Sequence, residues 1–335
     1  MIETITLGNF ENITYISDDC VLLSMPEGSD VGSMTVYTVF PGITVMYNDF
    51  HTDQCTTHFS YTSQMISIDH CREGRIEWER PDGRFCFLGE QDLLLSASET
   101  HAGTYGFPTG HYHGITIHFS LDEARESLRQ FEGIFAIDLD NIYHTFCRWQ
   151  DGLTLRNDEG INHLFAELYV VQDNSRMSYL RLKVLELLLY LSRLDPDIMQ
   201  GDHVYFQRTL VEKVRCIKQK LCQSPSQRST LSELAEQYQI SETAMKKCFK
   251  AMYGDSIYAF LKKYRLRSSC GLLLSGTQSI TEIAMEVGYE NTSKYISAFK
   301  KEFGVTPAKF RAEKTSPRAA VSSDEDKQGS ERMEP

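Results

Sequence analysis

Apolar residues between Met34 and Phe119 fall in short runs, alternating or continuous, and these runs predict strands. MTVYTVF, MISIDHC, GRIEWER, RFCFLG, DLLLSA and GITIHFS are rich in Val, Ile, Thr, Tyr and Phe, the residues that fit a pleated, half-buried surface. Turn signals separate them at Pro41-Gly42, Asp82-Gly83, Pro108 and Gly110. Asp-Gly between two apolar runs is a strong hairpin cue. From Leu121 the period lengthens to that of a helix. LDEARESLRQFEG, GINHLFAELYVVQ and SYLRLKVLELLLYLSRL follow in turn, the last apolar over most of its circumference. A helix of that kind must bury two sides. Either its own domain covers it, or a second copy of the chain packs on the helix at 177–194.

Residues 196–203 are short and polar and predict a linker. Everything from Val204 to about residue 313 reads helical, and 314–335 lack the apolar content to fold. The resulting division is a first domain at 1–195 (strands 1–120, helices 121–194), the linker, a helical domain at 204–313 and a disordered tail.

Within the helical domain one design occurs twice. In STLSELAEQYQISETAMKKCF, Leu231, Leu234 and Ala235 form the inner face of a first helix, and a turn follows around Gln239-Ile240. Ser241 caps a second helix, 241–252, with Ala244, Met245, Cys248 and Phe249 inside. In SITEIAMEVGYENTSKYISAFKKEFG, Ser279 caps a helix with Ile280, Ile283, Ala284 and Val287 inside, and Gly288 stops it. Asn291 then caps a helix at 291–302 that buries Tyr295, Ile296 and Phe299. The outer stripes are polar and basic: Thr243, Lys246, Lys247 and Lys250 on one, and Thr292, Ser293, Lys294, Ser297 and Lys300 on the other. Such a stripe on the second helix of a helix-turn-helix suits the major groove of DNA. The intervening SIYAFLKKYRLRSSCGLLLSG allows a helix of roughly 30 Å, close to one turn of B-DNA, so the two readers are expected in successive major grooves.

Charge sharpens this picture. The net charge of −12 would argue against nucleic acid if it were uniform. Residues 203–311, however, hold 18 Lys/Arg against 9 Asp/Glu, whereas residues 1–202 hold 12 against 31. Only one part of the chain is suited to a polyanion. Nine scattered cysteines without a CxxC pair fit reduced thiols in the cytoplasm better than a disulfide framework or a zinc site. No apolar run is long enough to span a membrane, and the N-terminus does not read as a signal peptide.

From Leu231 to Arg311 the chain resembles the DNA-binding domain of the AraC family of transcription regulators. LSELAEQYQIS, YRLRSSCGLLL and SITEIAMEVGYENTSKYISAFKKEFGVTPAKFR carry the resemblance, the closing GVTPAKFR most specifically. It implies a sequence-specific regulator of α+β class: an N-terminal cupin-like β-barrel with C-terminal helices, then an all-α domain with two helix-turn-helix units. It further implies double-stranded DNA and RNA polymerase as partners, a small-molecule effector, and dimerisation. By it, Thr243, Lys246, Lys247, Thr292, Ser293, Lys294 and Ser297 take base-facing positions, and Lys250 and Lys300 fit phosphate contacts. The paired lysines depart from the Gln, Arg or aromatic readers of many members, and Ser297 stands where some place Arg. KVLELLLYLS, REGRIEWE and GEQDLLLS resemble regulators of siderophore uptake in that family, which points to a siderophore-like chelate as effector.

Three other groups invite chemistry. His111 and His113 in HYH share a strand face, but no glutamate follows at a suitable distance, and His118 falls on the opposite face. Satisfied or partly exposed histidines are therefore expected, with no metal, no cofactor and no catalytic residue. Tyr37, Phe40, Tyr47, Phe59, Tyr61 and Trp78 suit either a ligand cavity or ordinary core. Arg72, Arg75, Arg80 and Arg84 near the Asp82-Gly83 hairpin suit an anionic ligand or, more simply, a solvated hairpin. A cupin-type metalloenzyme and a structural DNA- or RNA-binding protein are the competing classes. The incomplete metal set disfavours the first, and the acidic 200-residue domain disfavours the second.

Overall fold

The computed structural model describes residues 12–25, 28–146, 152–171, 175–194, 205–227 and 229–315. The predicted linker and nearly all of the predicted tail lie outside them. The strands are β1 (Asn12–Ser17), β2 (Cys20–Met25), β3 (Gly28–Phe40), β4 (Ile43–Phe50), β5 (Gln54–Gly74), β6 (Ile76–Glu79), β7 (Arg84–Leu88), β8 (Asp92–Gly106) and β9 (Tyr112–Ser120). Helices α1 (Leu121–Leu128) and α2 (Leu139–Phe146), the short β10 (Leu153–Arg156), α3 (Glu159–Leu168) and α4 (Arg176–Ser192) come next. After β11 (Phe206–Gln207) the chain is helical: α5 (Arg208–Gln223), α6 (Leu231–Gln237), α7 (Glu242–Tyr253), α8 (Ile257–Ser275), α9 (Ile280–Glu286), α10 (Thr292–Phe303) and α11 (Pro307–Thr315). They pack as two compact units, one made of residues 1–216 and 231–257, the other of 217–230 and 258–335.

In the first unit the strands join in the order β1-β2-β3-β4-β9-β5-β8-β6-β7-β11, with β10 on β8, and adjacent strands are antiparallel. This path is open, because no pairing joins β1 to β11 among the described residues. The sequence reading expects a cupin-like barrel; the strands it names between Met34 and Phe119 are present, but the sheet is not closed among the described residues. The two-residue side-chain period sorts the sheet into two faces. Val45, Ile66, Ile68, Ile115, Ile117 and Phe119 on one face share a core with α1 to α4. Val21, Leu23, Met34, Val36, Met46, Cys71, Leu88 and Leu94 on the other face form a second core. Strands β2 and β7 stand far apart in the pairing order, so the sheet must curl for their side chains to share it.

Helix α4 buries Leu180, Val184, Leu185, Leu187, Leu188 and Leu191 in the first of these cores. Leu182 stays exposed. Burial within one chain thus accounts for the helix's apolar girth, and the helix supplies no argument for a second subunit. Tyr37, Phe40 and Tyr47 also pack in this core or against it, and Trp78 packs against the other. The side chains of Phe59 and Tyr61 lie outside the described residues. No helix among the described residues is long and apolar enough to cross a membrane.

The second unit is built on Leu266, Leu273, Ile283, Ala284, Val287, Tyr295 and Phe299. A capping box between Ser279 and Glu282 starts α9. Its turn into α10 needs a left-handed residue, and Gly288 sits there at φ +87°. A Cβ at 288 would also lie 2.9 Å from Ser226 Cα and 3.0 Å from the Pro225 carbonyl oxygen. Gly288→Ala is therefore expected to destabilise this unit by about 2 kcal/mol or more, since the left-handed conformation alone costs ~1–2 kcal/mol for a residue with a side chain. Urea unfolding of the variant measures it. A loss below the conformational cost alone would show that the turn relaxes freely.

Candidate DNA-binding surface and its link to the sheet

Helix α7 begins at Ser241, whose hydroxyl accepts from the Ala244 N–H at 3.1 Å, and ends at Gly254 in the left-handed region. Met245, Cys248, Phe249, Met252 and Tyr253 face inward. The 3.6-residue repeat then turns Thr243, Lys246, Lys247 and Lys250 outward, and all four are exposed. Lys246 is ion-paired with Glu242 one turn earlier. The turn before α7 places Gln239 at φ +51°, the place Gly288 takes in the repeat. The matching bonds run from Ile240 N–H to the Ala235 carbonyl (3.0 Å) and from Tyr289 N–H to the Ala284 carbonyl (2.8 Å).

Helix α10 repeats the arrangement. The Asn291 side chain accepts from the Lys294 N–H at 2.9 Å, and Gly304 closes the helix. Tyr295 and Phe299 are buried, while Ser293, Lys294, Ser297 and Lys300 are exposed and Thr292 is half-buried. Lys301, a further exposed base, continues the stripe.

The chain matches the helix-turn-helix domain family over residues 234–313, the stretch that holds both of these motifs and the closing GVTPAKFR. Residues 234–313 form an AraC-type DNA-binding domain. Among curated relatives, the transcriptional activator RhaR of Mannheimia succiniciproducens is 29% identical over 102 residues, covering 30% of this chain and 37% of that protein. The virulence regulon transcriptional activator VirF of Yersinia enterocolitica is 34% identical over 84 residues, covering 25% of this chain and 31% of that protein. Among solved structures, the C-terminal domain of AraT, a response regulator from Geobacillus stearothermophilus, is 32% identical, covers 32% of this chain and 89% of that one, and has a TM-score of 0.30. The chain spans about a third of the length of these curated relatives, and the shared part is the AraC-type domain.

The first helix-turn-helix of that domain belongs to the same compact unit as the sheet, through contacts the sequence did not reveal. Arg75 Nη1 donates to the Ala251 carbonyl at 2.8 Å, satisfying one of the orphan acceptors at the C-terminal end of α7 and placing a cation at the negative end of its dipole. Arg215 on α5 donates to Glu77, whose side chain is 8% exposed. Arg208 on α5 donates to Glu79. Two glycines clear the way. A Cβ at Gly89 would collide with Arg75 Nη1, and one at Gly106 would collide with Glu77 Oε1. Burial raises the Glu77 carboxyl above its ordinary value, and Arg215 opposes the rise.

The four arginines near the hairpin accordingly have separate duties. Arg75 holds α7, Arg72 lies over the Tyr169 ring, and Arg80 and Arg84 lie over Tyr205. They do not form one anion pocket. Sequence reasoning missed the acidic partners because Glu77 and Glu79 alternate on a strand and look like an ordinary solvated edge.

The sheet itself carries one polar ladder. On the face that bears Met46 and Cys71, the Asn48 amide donates to Thr116 Oγ1 at 2.9 Å, Thr116 donates to Asp69 at 2.7 Å, and Ser67 donates to Asp69 at 2.8 Å. Asn48 is 7% exposed and its Oδ1 accepts no hydrogen bond. A buried acceptor without a donor costs ~1–3 kcal/mol, so this oxygen suits a ligand N–H or O–H.

Proposed function

We propose that the chain is a ligand-responsive transcription regulator, acting as an activator, in which the state of the sheet controls the first helix-turn-helix. The observation that carries this reading is the grip of Arg75, Glu77 and Glu79 on the α5–α7 region. A ligand on the sheet that moves β6 changes the free energy of placing α7 on DNA, and DNA must by linkage change ligand affinity equally. The effector seat we favour is the Asn48–Thr116–Asp69–Ser67 ladder. It offers an amide, two hydroxyls and a carboxylate, with the buried His118 directly opposite Ser67 in the strand register, so a small molecule rich in hydrogen-bonding groups suits it.

In this reading α7 and α10 enter successive major grooves. Helix α8, between them in sequence, has 19 residues, which at 1.5 Å each is about 28 Å. Thr243, Lys246, Lys247, Thr292, Ser293, Lys294 and Ser297 then face bases, and Lys250 and Lys300 face phosphates. An activator also requires contact with RNA polymerase.

Footprinting on the DNA upstream of the chain's own gene and its neighbours, with and without candidate effectors, tests the proposal. Protected stretches of about two helical turns are expected. Replacing Lys246 and Lys247 together by Ala should weaken binding to such a site by ~1–3 kcal/mol for every base interaction that the lysines make, measured by titration at fixed salt. Unchanged affinity for the specific site would remove α7 from the groove. Effector-independent binding with an intact footprint would leave a DNA-binding protein without ligand control.

A further inference from the structure

Away from the DNA-facing stripes, two histidines and an aspartate meet at one end of the sheet. Asp49 on β4 is directly opposite His113 on β9 in the strand register. His51 follows β4 by one residue, and its N–H donates to the Val31 carbonyl at 2.8 Å, which holds the chain there. His51 Nε2 lies 3.1 Å and His113 Nδ1 3.3 Å from the same Asp49 oxygen. The two rings meet edge to face at 4.9 Å, and the three candidate donor atoms all lie within 4.8 Å of one another.

We propose that Asp49, His51 and His113 form a binding site for a divalent transition-metal ion. The distances are those of a coordination shell. Ligands held ~2.0–2.2 Å from zinc in tetrahedral geometry stand roughly 3.4 Å apart, and slightly closer at octahedral angles. The two His–Asp separations match, and the two imidazole donors lie within 4.8 Å of each other. The donor set also selects the metal. Two imidazoles and one carboxylate, without a thiolate, suit Zn²⁺, Fe²⁺, Ni²⁺ or Cu²⁺ rather than Mg²⁺ or Ca²⁺, which take oxygen ligands. Backbone pairing fixes the Cα positions of Asp49 and His113 in advance, so the entropy lost on binding is mainly that of the side chains.

Three protein ligands leave positions open to water or another donor. Glu73 is the nearest further carboxylate by register, because β5 places it opposite His113 on the other side. His111, whose ring centroid lies 6.0 Å from that of His113, is the nearest further imidazole. The sequence reading of HYH lacked a carboxylate only because it looked along one strand. Asp49 reaches the site from the neighbouring strand, more than sixty positions earlier in the chain.

The experiment is calorimetric titration of the full-length protein with Zn²⁺, repeated with His51→Ala, His113→Ala and, as a control, His163→Ala, whose side chain is 79% exposed on α3. Single-site binding is expected for the wild type and the control. Each of the other variants should lose about 100-fold or more in affinity, since even the loss of an outer-shell partner costs ~10–100-fold. His51 is half exposed and His113, at 29%, is partly so; circular dichroism and metal-free melting of each variant that match wild type separate lost ligation from lost folding. Loading with Co²⁺ provides the second readout: ligand-field bands without a thiolate-to-cobalt charge-transfer band are expected. Equal zinc affinity in all four proteins, a thiolate band, or no binding at millimolar Zn²⁺ would each overturn the site.

Discussion

Replacing Arg215 by Met should cost about 1–3 kcal/mol of stability in the unit that contains the sheet, less than the ~3–5 kcal/mol of a fully buried pair because the arginine side chain is 41% exposed and water screens it. The substitution keeps most of the aliphatic stem but leaves the Glu77 carboxylate, 8% exposed, without its cation. Glu77 Oε2 has no hydrogen-bond partner even with Arg215 present, so no second donor stands ready to compensate. The pH dependence identifies the cause. Burial already raises the folded pKa of Glu77 above its ordinary value, and Arg215 is the charge that lowers it. A raised carboxyl contributes its stability below the unfolded pKa and loses it as pH rises through the folded one. Removing Arg215 raises the folded pKa further, so the gap between wild type and variant should widen from pH 5 to pH 7. Urea unfolding at both values measures it. A gap that is small or independent of pH would mean that the pair is solvated and grips nothing.

Acid should weaken the same unit through His70. This imidazole is 4% exposed, stacks on Phe165 at 4.2 Å, and lies with Nδ1 3.1 Å from the Tyr169 hydroxyl and Nε2 3.3 Å from Asn162 Oδ1. A neutral ring with its proton on Nε2 donates to Asn162 and accepts from the Tyr169 hydroxyl, whose alternative acceptor is the His70 carbonyl at 3.3 Å. Burial pushes its pKa down to about 4 from 6.5, with Asn162 opposing part of the shift. A depressed folded pKa means stability that is complete above the unfolded value and is lost as pH falls from about 6.5 to about 4. At 1.36 kcal/mol per unit, the full loss is about 3 kcal/mol. Other groups titrate in this window, so the informative quantity is the difference from His70→Gln, which has no such proton to take up. The wild-type unfolding free energy should fall more steeply with acid than that of the variant. Parallel curves would show that His70 is protonated without penalty.

The DNA-binding domain was legible in the sequence because its determinants are local. Ser241, Asn291 and Ser279 cap the helices they precede, and Gly288 takes the left-handed turn expected of it. Inner residues recur at a period of 3.6, so burying Met245 and Phe249, or Tyr295 and Phe299, by itself turns the lysines outward. The strands named from apolar runs are also present, and the Asp82-Gly83 and Pro41-Gly42 turns stand where predicted. Strands β1 and β2, before Met34, and helix α2 went unnamed.

What only the tertiary structure decided depends on pairings between distant positions. The openness of the sheet is a matter of whether its first and last strands meet, and no local pattern encodes that. The girth of α4 is compatible with a second subunit or with its own core, and only the arrangement of the sheet and α1 to α3 around it chooses the core. Arg75 reads as one of four hairpin arginines until folding brings the end of α7, some 176 positions later, against it. Asp49 and His113 likewise become one site only through the β4–β9 register. Residue periodicity specifies which side of an element is buried, whereas long-range strand register and helix docking specify what lies against it. The polar and basic outer stripes of α7 and α10 were therefore readable from the chain alone, and the links from the sheet to the first helix-turn-helix were not.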